Sequence, residues 1–392
     1  MDLFAVDDRS IQLSWASLPC REATVEVGDH RFQVEATPPE WYRTFGGRPL
    51  PSNLGGPGAL TVDGLDPDTT YEAVVSGPGV ARQVAAVVRT RPAPPLGEAL
   101  FRFATISDMH VGERFVGPAR RLRDPRPRPD QLEPYPIRCA QAALAEAQDW
   151  GAELLVVKGD LTYAARPAEA SIVADALASA RVPVQAILGN HDVYGRADVA
   201  AVLGERGIPA HRRAYSMDVP GLRLVFGHTP VPGLHGGRLG GEQARDLAQL
   251  AGEAAGPVVL VVHHPPKRFP VQTYYPPSIS WRDSNRLLSA VSARNPATLV
   301  LAGHTHRNRL YRSGGLMVSE VGATKDYPGQ WAGYTVYERG VRQVVRRITR
   351  PDAVAWTEMT KRVALGVWGW WSPGRLSDRC WILEWPDIVI QA

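Results

Sequence analysis

The stretch LLVVKGDLTY (residues 154–163) is the best starting point for predicting the fold, because it joins a short apolar run directly to an acidic motif. Four consecutive apolar residues are typical of a strand buried on both faces in a parallel sheet. Gly159 then permits a sharp turn, and Asp160 follows with a carboxylate close to the strand end. The same order, an apolar run and then a polar motif, recurs four more times in the chain.

The other motifs follow apolar runs in the same way. They are Asp108-Met109-His110, Gly189-Asn190-His191-Asp192, His263-His264-Pro265 and Gly303-His304-Thr305-His306. Helical patterns separate the runs, which predicts βαβ units and a largely parallel sheet in an α/β domain. Because ligands bind at the carboxyl ends of the strands in such sheets, we expect the five motifs to converge on one crevice.

The motifs supply carboxylate, imidazole and amide groups, which are ligands for hard-to-borderline cations. The candidate ligands are Asp108, His110, Asp160, Asn190, His263, His304 and His306. Seven ligands are too many for one tetrahedral zinc site with an open position. They suit two adjacent metal ions that share a carboxylate and activate a water molecule. Manganese, iron and zinc all fit this donor set, and His264 is an alternative to His263 as the ligand.

In order and content, these five motifs resemble the calcineurin-like metallophosphoesterase superfamily over about residues 100 to 340. The resemblance implies a four-layer α/β/β/α fold and a dinuclear metal centre. It implies that Asp108, His110, Asp160 and His306 hold one metal ion, and that Asp160, Asn190, His263 and His304 hold the other. It also implies catalytic roles for Asp160 and His191. Asn190 and His191 would contact the substrate, and His191 would bind the phosphate or protonate the leaving oxygen.

The segment VPGLHGGRL (residues 231–239) and the sequences around His263 and His304 are similar to the cyclic-nucleotide phosphodiesterase branch. We therefore expect hydrolysis of a phosphodiester by metal-activated hydroxide. A phosphomonoesterase resembling purple acid phosphatases is the alternative, since Gly159-Asp160-Leu161-Thr162-Tyr163 matches the motif whose tyrosine binds iron there. His110 argues against this alternative, because its imidazole would take the place of the phenolate. A non-catalytic, metal-stabilised interaction scaffold is the third hypothesis.

Residues 1–92 have a different character, with short alternating strand patterns and clustered turn residues that predict a small all-β sandwich. Leu65-Asp66-Pro67-Asp68-Thr69-Thr70-Tyr71 resembles the corner of a fibronectin type III domain, in which the tyrosine hydroxyl binds the backbone. Residues 93–99 read as a proline-rich linker. The catalytic domain is predicted at 100–345, and a Trp-rich extension at 346–392 is expected to pack on it or on another subunit.

The composition narrows the functional classes further. Net charge is +4, which favours anionic ligands but does not indicate nucleic-acid binding. The sequence has no signal-peptide pattern and no apolar run of about 18 residues, so a cytoplasmic protein without a membrane span is expected. The three cysteines suggest no disulfide framework. The expected partner is a phosphate-ester substrate, a small molecule or nucleotide, and the oligomeric state is left open.

Overall fold

The structure is a computed structural model that describes residues 1–35, 37–38, 41–42, 48–117, 122 and 134–386. Seven antiparallel strands form the N-terminal part: β1 (Asp2–Val6), β2 (Ser10–Trp15), β3 (Glu22–Val27), β4 (His30–Glu35), β5 (Gly58–Asp63), β6 (Thr70–Gly77) and β7 (Val80–Arg89). They make a three-stranded sheet, β1-β2-β5, and a four-stranded sheet, β4-β3-β6-β7. The hydroxyl of Tyr71 accepts a hydrogen bond of 2.9 Å from the backbone N of Asp66. This part is therefore all-β, and a fibronectin type III fold stays a prediction.

Two six-stranded sheets and their helices form the rest of the structure. The strands are β8 (Ala99–Ile106), β9 (Leu154–Lys158), β10 (Val184–Ile187), β11 (Tyr215–Val219), β12 (Leu222–Phe226), β13 (Val258–Val261), β14 (Thr298–Ala302), β15 (Arg309–Ser313), β16 (Leu316–Glu320), β17 (Gln330–Tyr337), β18 (Gly340–Arg347) and β19 (Cys380–Glu384). The helices are α1 (Tyr135–Asp149), α2 (Pro167–Ala178), α3 (Val199–Glu205), α4 (Gly241–Gly252), α5 (Trp281–Arg294), α6 (Pro351–Thr360), α7 (Val367–Trp371) and α8 (Leu376–Arg379), with 3₁₀ turns at Asn190–Val193 and Val363–Gly366.

The two sheets pack face to face, and each carries helices on its outer face. Alternate residues of a strand point to opposite faces. In β9, Leu154 and Val156 join the core between the sheets, whereas Leu155 and Val157 join the core beneath α1, α2 and α6. In β13 the residues alternate in the same way between the inter-sheet core and the core beneath α4 and α5. The result is the predicted four-layer α/β/β/α sandwich.

The sheets are mixed, with strand orders β10-β9-β8-β17-β18-β19 and β11-β12-β13-β14-β16-β15. The strands that carry the motifs pair in parallel, as β8 with β9, β9 with β10, and β13 with β14. The prediction of a largely parallel sheet is wrong for β11, β15, β17, β18 and β19, which pair antiparallel with their neighbours. The reason is local, since β17 and β18 form a hairpin that pairs Tyr337 with Gly340, and a tight hairpin connects only antiparallel strands.

The N-terminal sheets pack against β18 and β19. The side chain of Gln12 donates to the carbonyl of Arg347 at 2.8 Å and accepts from its backbone N at 2.7 Å. Buried Arg346 pairs with Asp7 at 3.1 Å. The predicted domain limits stay a prediction, but β19 and α6 place part of the 346–392 extension within the layered fold.

Three tryptophans of the extension are buried, and one points into solvent. Trp356, Trp381 and Trp385 lie in the hydrophobic cores, whereas Trp370 is 82% exposed. Residues 387–392 of the predicted extension lie outside the described residues. Among the described helices, none combines the length and the apolar character that crossing a bilayer requires.

Candidate metal centre

The five motifs lie at the carboxyl ends of β8, β9, β10, β13 and β14. At three of these ends the chain turns through left-handed backbone conformations, which non-glycine residues rarely adopt. The residues concerned have φ between 50° and 68°: Asp108, His110, Asp160, His304 and His306. Such conformations persist only where the surrounding structure enforces them, and they cluster at functional sites.

These turns bring together side chains that are far apart in the sequence. Ligand atoms lie within 4.8 Å of one another in several overlapping groups. One group is Asp108, His110 and His306, and another is Asp108, Asp160 and His263. His304 joins a third group with His263 and His264. Six of the seven candidate ligands therefore surround one buried centre.

Asp160 belongs to one of these groups and also lies close to His110. Its Oδ2 is 3.4 Å from Nε2 of His110 and 3.3 Å from Nε2 of His263. Its Oδ1 accepts a hydrogen bond of 2.8 Å from the backbone N of His191. Two ligand atoms of one cation stand about 3.0–3.5 Å apart when each is ~2.1 Å from the ion. One oxygen thus faces two imidazoles at distances suited to a cation on either side.

Hydrogen bonds fix the orientation of three imidazoles. Nδ1 of His263 donates to the carbonyl of Lys158 at 2.7 Å, and Nδ1 of His306 lies 2.8 Å from Oδ2 of Asp326. His304 instead uses Nε2, which donates to the carbonyl of Pro277 at 2.9 Å. In each ring one nitrogen is anchored and the other is left for a ligand bond, which is the usual arrangement of metal-binding histidines.

His264 lies beside His263 but has no nitrogen to spare. Its Nδ1 is 2.8 Å from the hydroxyl of Thr229, and its Nε2 is 3.2 Å from the carbonyl of His235. Although its ring falls within the same cluster, both nitrogens are engaged. The geometry therefore favours His263 over His264 as the ligand, for a reason that the sequence did not contain.

The unpaired atoms of the centre fit metal ions. Buried polar atoms nearly always have a hydrogen-bond partner. Among the residues that the structure describes, none is a hydrogen-bond partner for four such buried atoms: both ring nitrogens of His110, Nε2 of His263 and Oδ1 of Asn190. They belong to predicted ligands, and their nitrogen and oxygen chemistry suits manganese, iron or zinc.

His191 and Asn190 sit in the 3₁₀ turn after β10, beside the shared carboxylate. Nδ1 of His191 donates to the carbonyl of Tyr163 at 2.6 Å, which leaves Nε2 available. Nδ2 of Asn190 donates to the hydroxyl of Tyr194 at 2.7 Å, and its Oδ1 has no hydrogen-bond partner in the described part of the chain. The ring of Tyr163 packs 6.4 Å from that of His110.

Without metal, the centre balances its charge with protons. Burial would raise the pKa of Asp108 and of Asp160, but neighbouring imidazoles outweigh it and lower both. Burial would lower the pKa of His263, but Asp160 raises it to about 9. For His306, Asp326 and Asp108 outweigh burial and raise the pKa to about 10.

The other two imidazoles are neutral at physiological pH. Burial, reinforced by nearby positive charge, lowers the pKa of His110 to about 4 and that of His304 to about 3. Two carboxylates and two imidazolium rings therefore face one another in the metal-free centre. The protons on His263 and His306 supply the positive charge that bound cations would supply in the metal-loaded centre.

Sequence reasoning missed the residues that support the ligands. Asp326 is buried, holds His306 and is bound by Lys325 at 3.1 Å. Asp192, the last residue of its motif, accepts hydrogen bonds from the backbone N of Thr162 and of Gly189 at 2.8 and 2.9 Å, and so ties two motif loops together. Its place in the motif was a usable signal for Asp192, whereas nothing in the sequence marks Asp326.

The sequence matches the model of one protein family, calcineurin-like phosphoesterases, over residues 101–308. It is 28% identical over 213 residues to a protein of Synechococcus sp. named as a probable cyclic nucleotide phosphodiesterase, covering 54% of this chain and 76% of that protein. A Psychrobacter sp. protein with the same kind of name is 27% identical over 176 residues. That match covers 43% of this chain and 51% of the relative, so the chain spans about half of it.

Among solved structures, a purple acid phosphatase from yellow lupin (Lupinus luteus) is similar to 88% of this chain and to 71% of its own length. The sequence identity is 16% and the TM-score is 0.44. A similarity this weak carries no argument about the reaction.

Proposed function

This chain belongs to the calcineurin-like phosphoesterase family, and on that basis we propose that it hydrolyses phosphodiesters at a centre of two metal ions. It is a metallophosphoesterase, and a phosphodiesterase is favoured because the relatives are named as cyclic nucleotide phosphodiesterases. The observation that carries the proposal is the position of Asp160, whose Oδ2 faces His110 and His263 at 3.4 and 3.3 Å.

The residues would divide into two sets around that carboxylate. Asp108, His110 and His306 would hold one ion, which is supported by their grouped ligand atoms and by the 3.4 Å between Nε2 of His306 and Oδ1 of Asp108. Asn190, His263 and His304 would hold the second ion, which is supported by the unpaired Oδ1 of Asn190 and Nε2 of His263. Asp160 would belong to both sets.

When bound, two such ions lower the pKa of a water molecule and neutralise charge on the phosphoryl oxygens. The chain's own contribution is to fix the ligands and to supply a proton. His191 is held through Nδ1 by the carbonyl of Tyr163, so its Nε2 would bind the phosphate or donate a proton to the leaving oxygen. The proposed substrate is a small-molecule or nucleotide phosphodiester.

The test compares bis(p-nitrophenyl) phosphate with p-nitrophenyl phosphate, using the manganese-loaded full-length protein. Asn190→Ala should lose most diester turnover, because it removes a ligand oxygen. Tyr163→Phe is the matched control, since it keeps the backbone carbonyl that holds His191 and should retain turnover.

Two results would contradict the proposal. Strong preference for the monoester, together with a visible iron–phenolate colour in iron-loaded protein that Tyr163→Phe abolishes, would identify the purple-acid-phosphatase type of site. No turnover of either ester by protein that contains two metal ions per chain would favour a scaffold.

A further inference from the structure

Two loops bordering the metal centre expose large apolar side chains. Val271 and Tyr275, before α5, are 65% and 72% exposed, and Leu365 and Trp370, around α7, are 94% and 82% exposed. Most of the large apolar residues exposed in the described part of the chain lie here or on the adjoining loop 231–239: Leu234, Phe269, Val271, Tyr275, Trp281, Leu365, Val367 and Trp370. Such clustering marks an interaction surface.

Arg307 connects the two loops at the metal centre. Its guanidinium lies 4.2 Å from the ring centroid of Tyr274 and 4.7 Å from that of Trp371. The preceding residue, His306, meets Trp368 edge to face with ring centroids 6.0 Å apart. The carbonyl of Pro277, on the first loop, binds His304. The loops that carry the exposed apolar groups therefore contact residues of the centre, and we call segments 228–241, 263–282 and 361–377 the rim.

The rim also carries an excess of cations. Its three segments contain no aspartate or glutamate, and one carboxylate directly follows each of them, at Glu242, Asp283 and Asp378. They contain these cations: Arg238, Lys267, Arg268, Arg282, Lys361, Arg362 and Arg375. Lys361 pairs with Glu358. Arg238, Lys267, Arg268 and Arg282 have no carboxylate partner within 4.0 Å among the residues that the structure describes.

We propose that the rim docks this protein on an anionic lipid surface, with the metal centre facing the headgroups. Exposed Trp, Tyr and Leu side chains suit the boundary between headgroups and acyl chains, and Lys and Arg are attracted to anionic lipid. A second copy of this chain fits less well, because self-association would bring two basic rims together. The proposal concerns where the protein binds, and it stands whichever phosphodiester is hydrolysed.

The test is flotation of the full-length protein with vesicles of phosphatidylcholine, alone or mixed with phosphatidylglycerol. Binding should require phosphatidylglycerol and weaken as salt rises. Lys267→Gln with Arg268→Gln should weaken binding about fivefold for each charge removed. Leu365→Ser with Trp370→Ser should weaken it further. Val87→Ser, a similar change at a 63% exposed position of the N-terminal sheets, should leave binding unchanged.

Melting temperature and metal content show whether each variant is folded, and Trp370→Ser alone is the milder substitute if the double variant is not. The absence of binding to phosphatidylglycerol vesicles would overturn the proposal. So would binding that the rim variants leave unchanged. Light scattering provides the third check. If the protein is a dimer and the double variant Leu365→Ser with Trp370→Ser is a monomer, the rim binds a second copy of this chain instead of lipid.

Discussion

Replacing Asp326 with asparagine is expected to change how many protons metal binding releases. Oδ2 of Asp326 lies 2.8 Å from Nδ1 of His306. Asp326 is the largest of the influences that raise the pKa of His306 to about 10 against the effect of burial. Asparagine preserves the shape and an acceptor oxygen but removes the charge. Lys325 keeps its second partner, Glu113 at 2.7 Å, so the loop should keep its structure.

The magnitude for the wild-type protein follows from the pKa values of the metal-free centre. His263 and His306 have pKa values of about 9 and about 10, so both rings are protonated near neutral pH. A cation binds only the neutral ring. These rings should release two protons, and the logarithm of the overall binding constant should rise by about two per pH unit between about pH 7 and 9. A pH of about 7.5 lies about 2.5 units below the pKa of His306, so removing the proton from this ring costs about 3.4 kcal/mol of metal-binding free energy.

The difference in metal affinity between wild type and Asp326→Asn should depend on pH. The pKa of His306 falls when the carboxylate charge is removed. The slope of the logarithm of the binding constant against pH should therefore fall by up to one. Above about pH 10 proton competition ends, and loss of the orienting carboxylate should weaken metal binding about 10–100-fold. The affinities of wild type and Asp326→Asn should therefore converge as pH falls.

The assay is calorimetric titration with manganese in buffers of different ionisation enthalpy, which counts released protons directly. Asp218→Asn is a control, because that carboxylate pairs with Arg223 on the surface, away from the centre. Equal proton release by wild type and Asp326→Asn would refute the reasoning. Any proton released by bound water is common to both proteins and cancels in the comparison.

Three further changes test other parts of the site. His191→Asn should lower kcat for the diester about 10²–10⁴-fold with unchanged metal content, and a change in KM alone would contradict its role as a proton donor. Gly159→Ala should abolish metal binding, because the added Cβ would lie 2.6 Å from Nδ1 of His263 and the backbone φ of +90° disfavours alanine. Gly204→Ala is the control, since its Cβ would have no atom within 4 Å, and it should keep metal binding and the fold. Asp192→Ala should lower the free energy of unfolding by about 3 kcal/mol or more in urea denaturation, because several buried donors lose their acceptor. A loss below about 1 kcal/mol would show that those donors find other partners.

Much of the fold could be predicted because the relevant signals are local. The apolar run at residues 154–157 forms most of a buried strand, Leu154–Lys158, and the helical pattern after residue 137 becomes α1, Tyr135–Asp149. The antiparallel additions β17, β18 and β19 were not predicted. Their burial pattern indicates strands but not partners, since pairing depends on which edge the rest of the sheet leaves open.

The candidate ligands could also be identified from the sequence, whereas their chemical state could not. Residue types and positions at the ends of strands predict Asp160 and His263 as metal ligands from the sequence alone. Whether His263 or His264 has a free nitrogen depends on Thr229, in the loop after β12, and on the carbonyl of Lys158 at the end of β9.

The sequence by itself determined the donor types, their order and their positions after five apolar runs, because strand formation and sharp turns depend on neighbours within a few residues. Only the tertiary structure decided that one oxygen of Asp160 faces two imidazoles, that Asp326 supports His306, and that the Trp-rich segment borders the centre. These relations join residues 20 to more than 100 positions apart. Their distances are set by how the two sheets and the C-terminal helices pack, and local sequence preferences do not encode that packing.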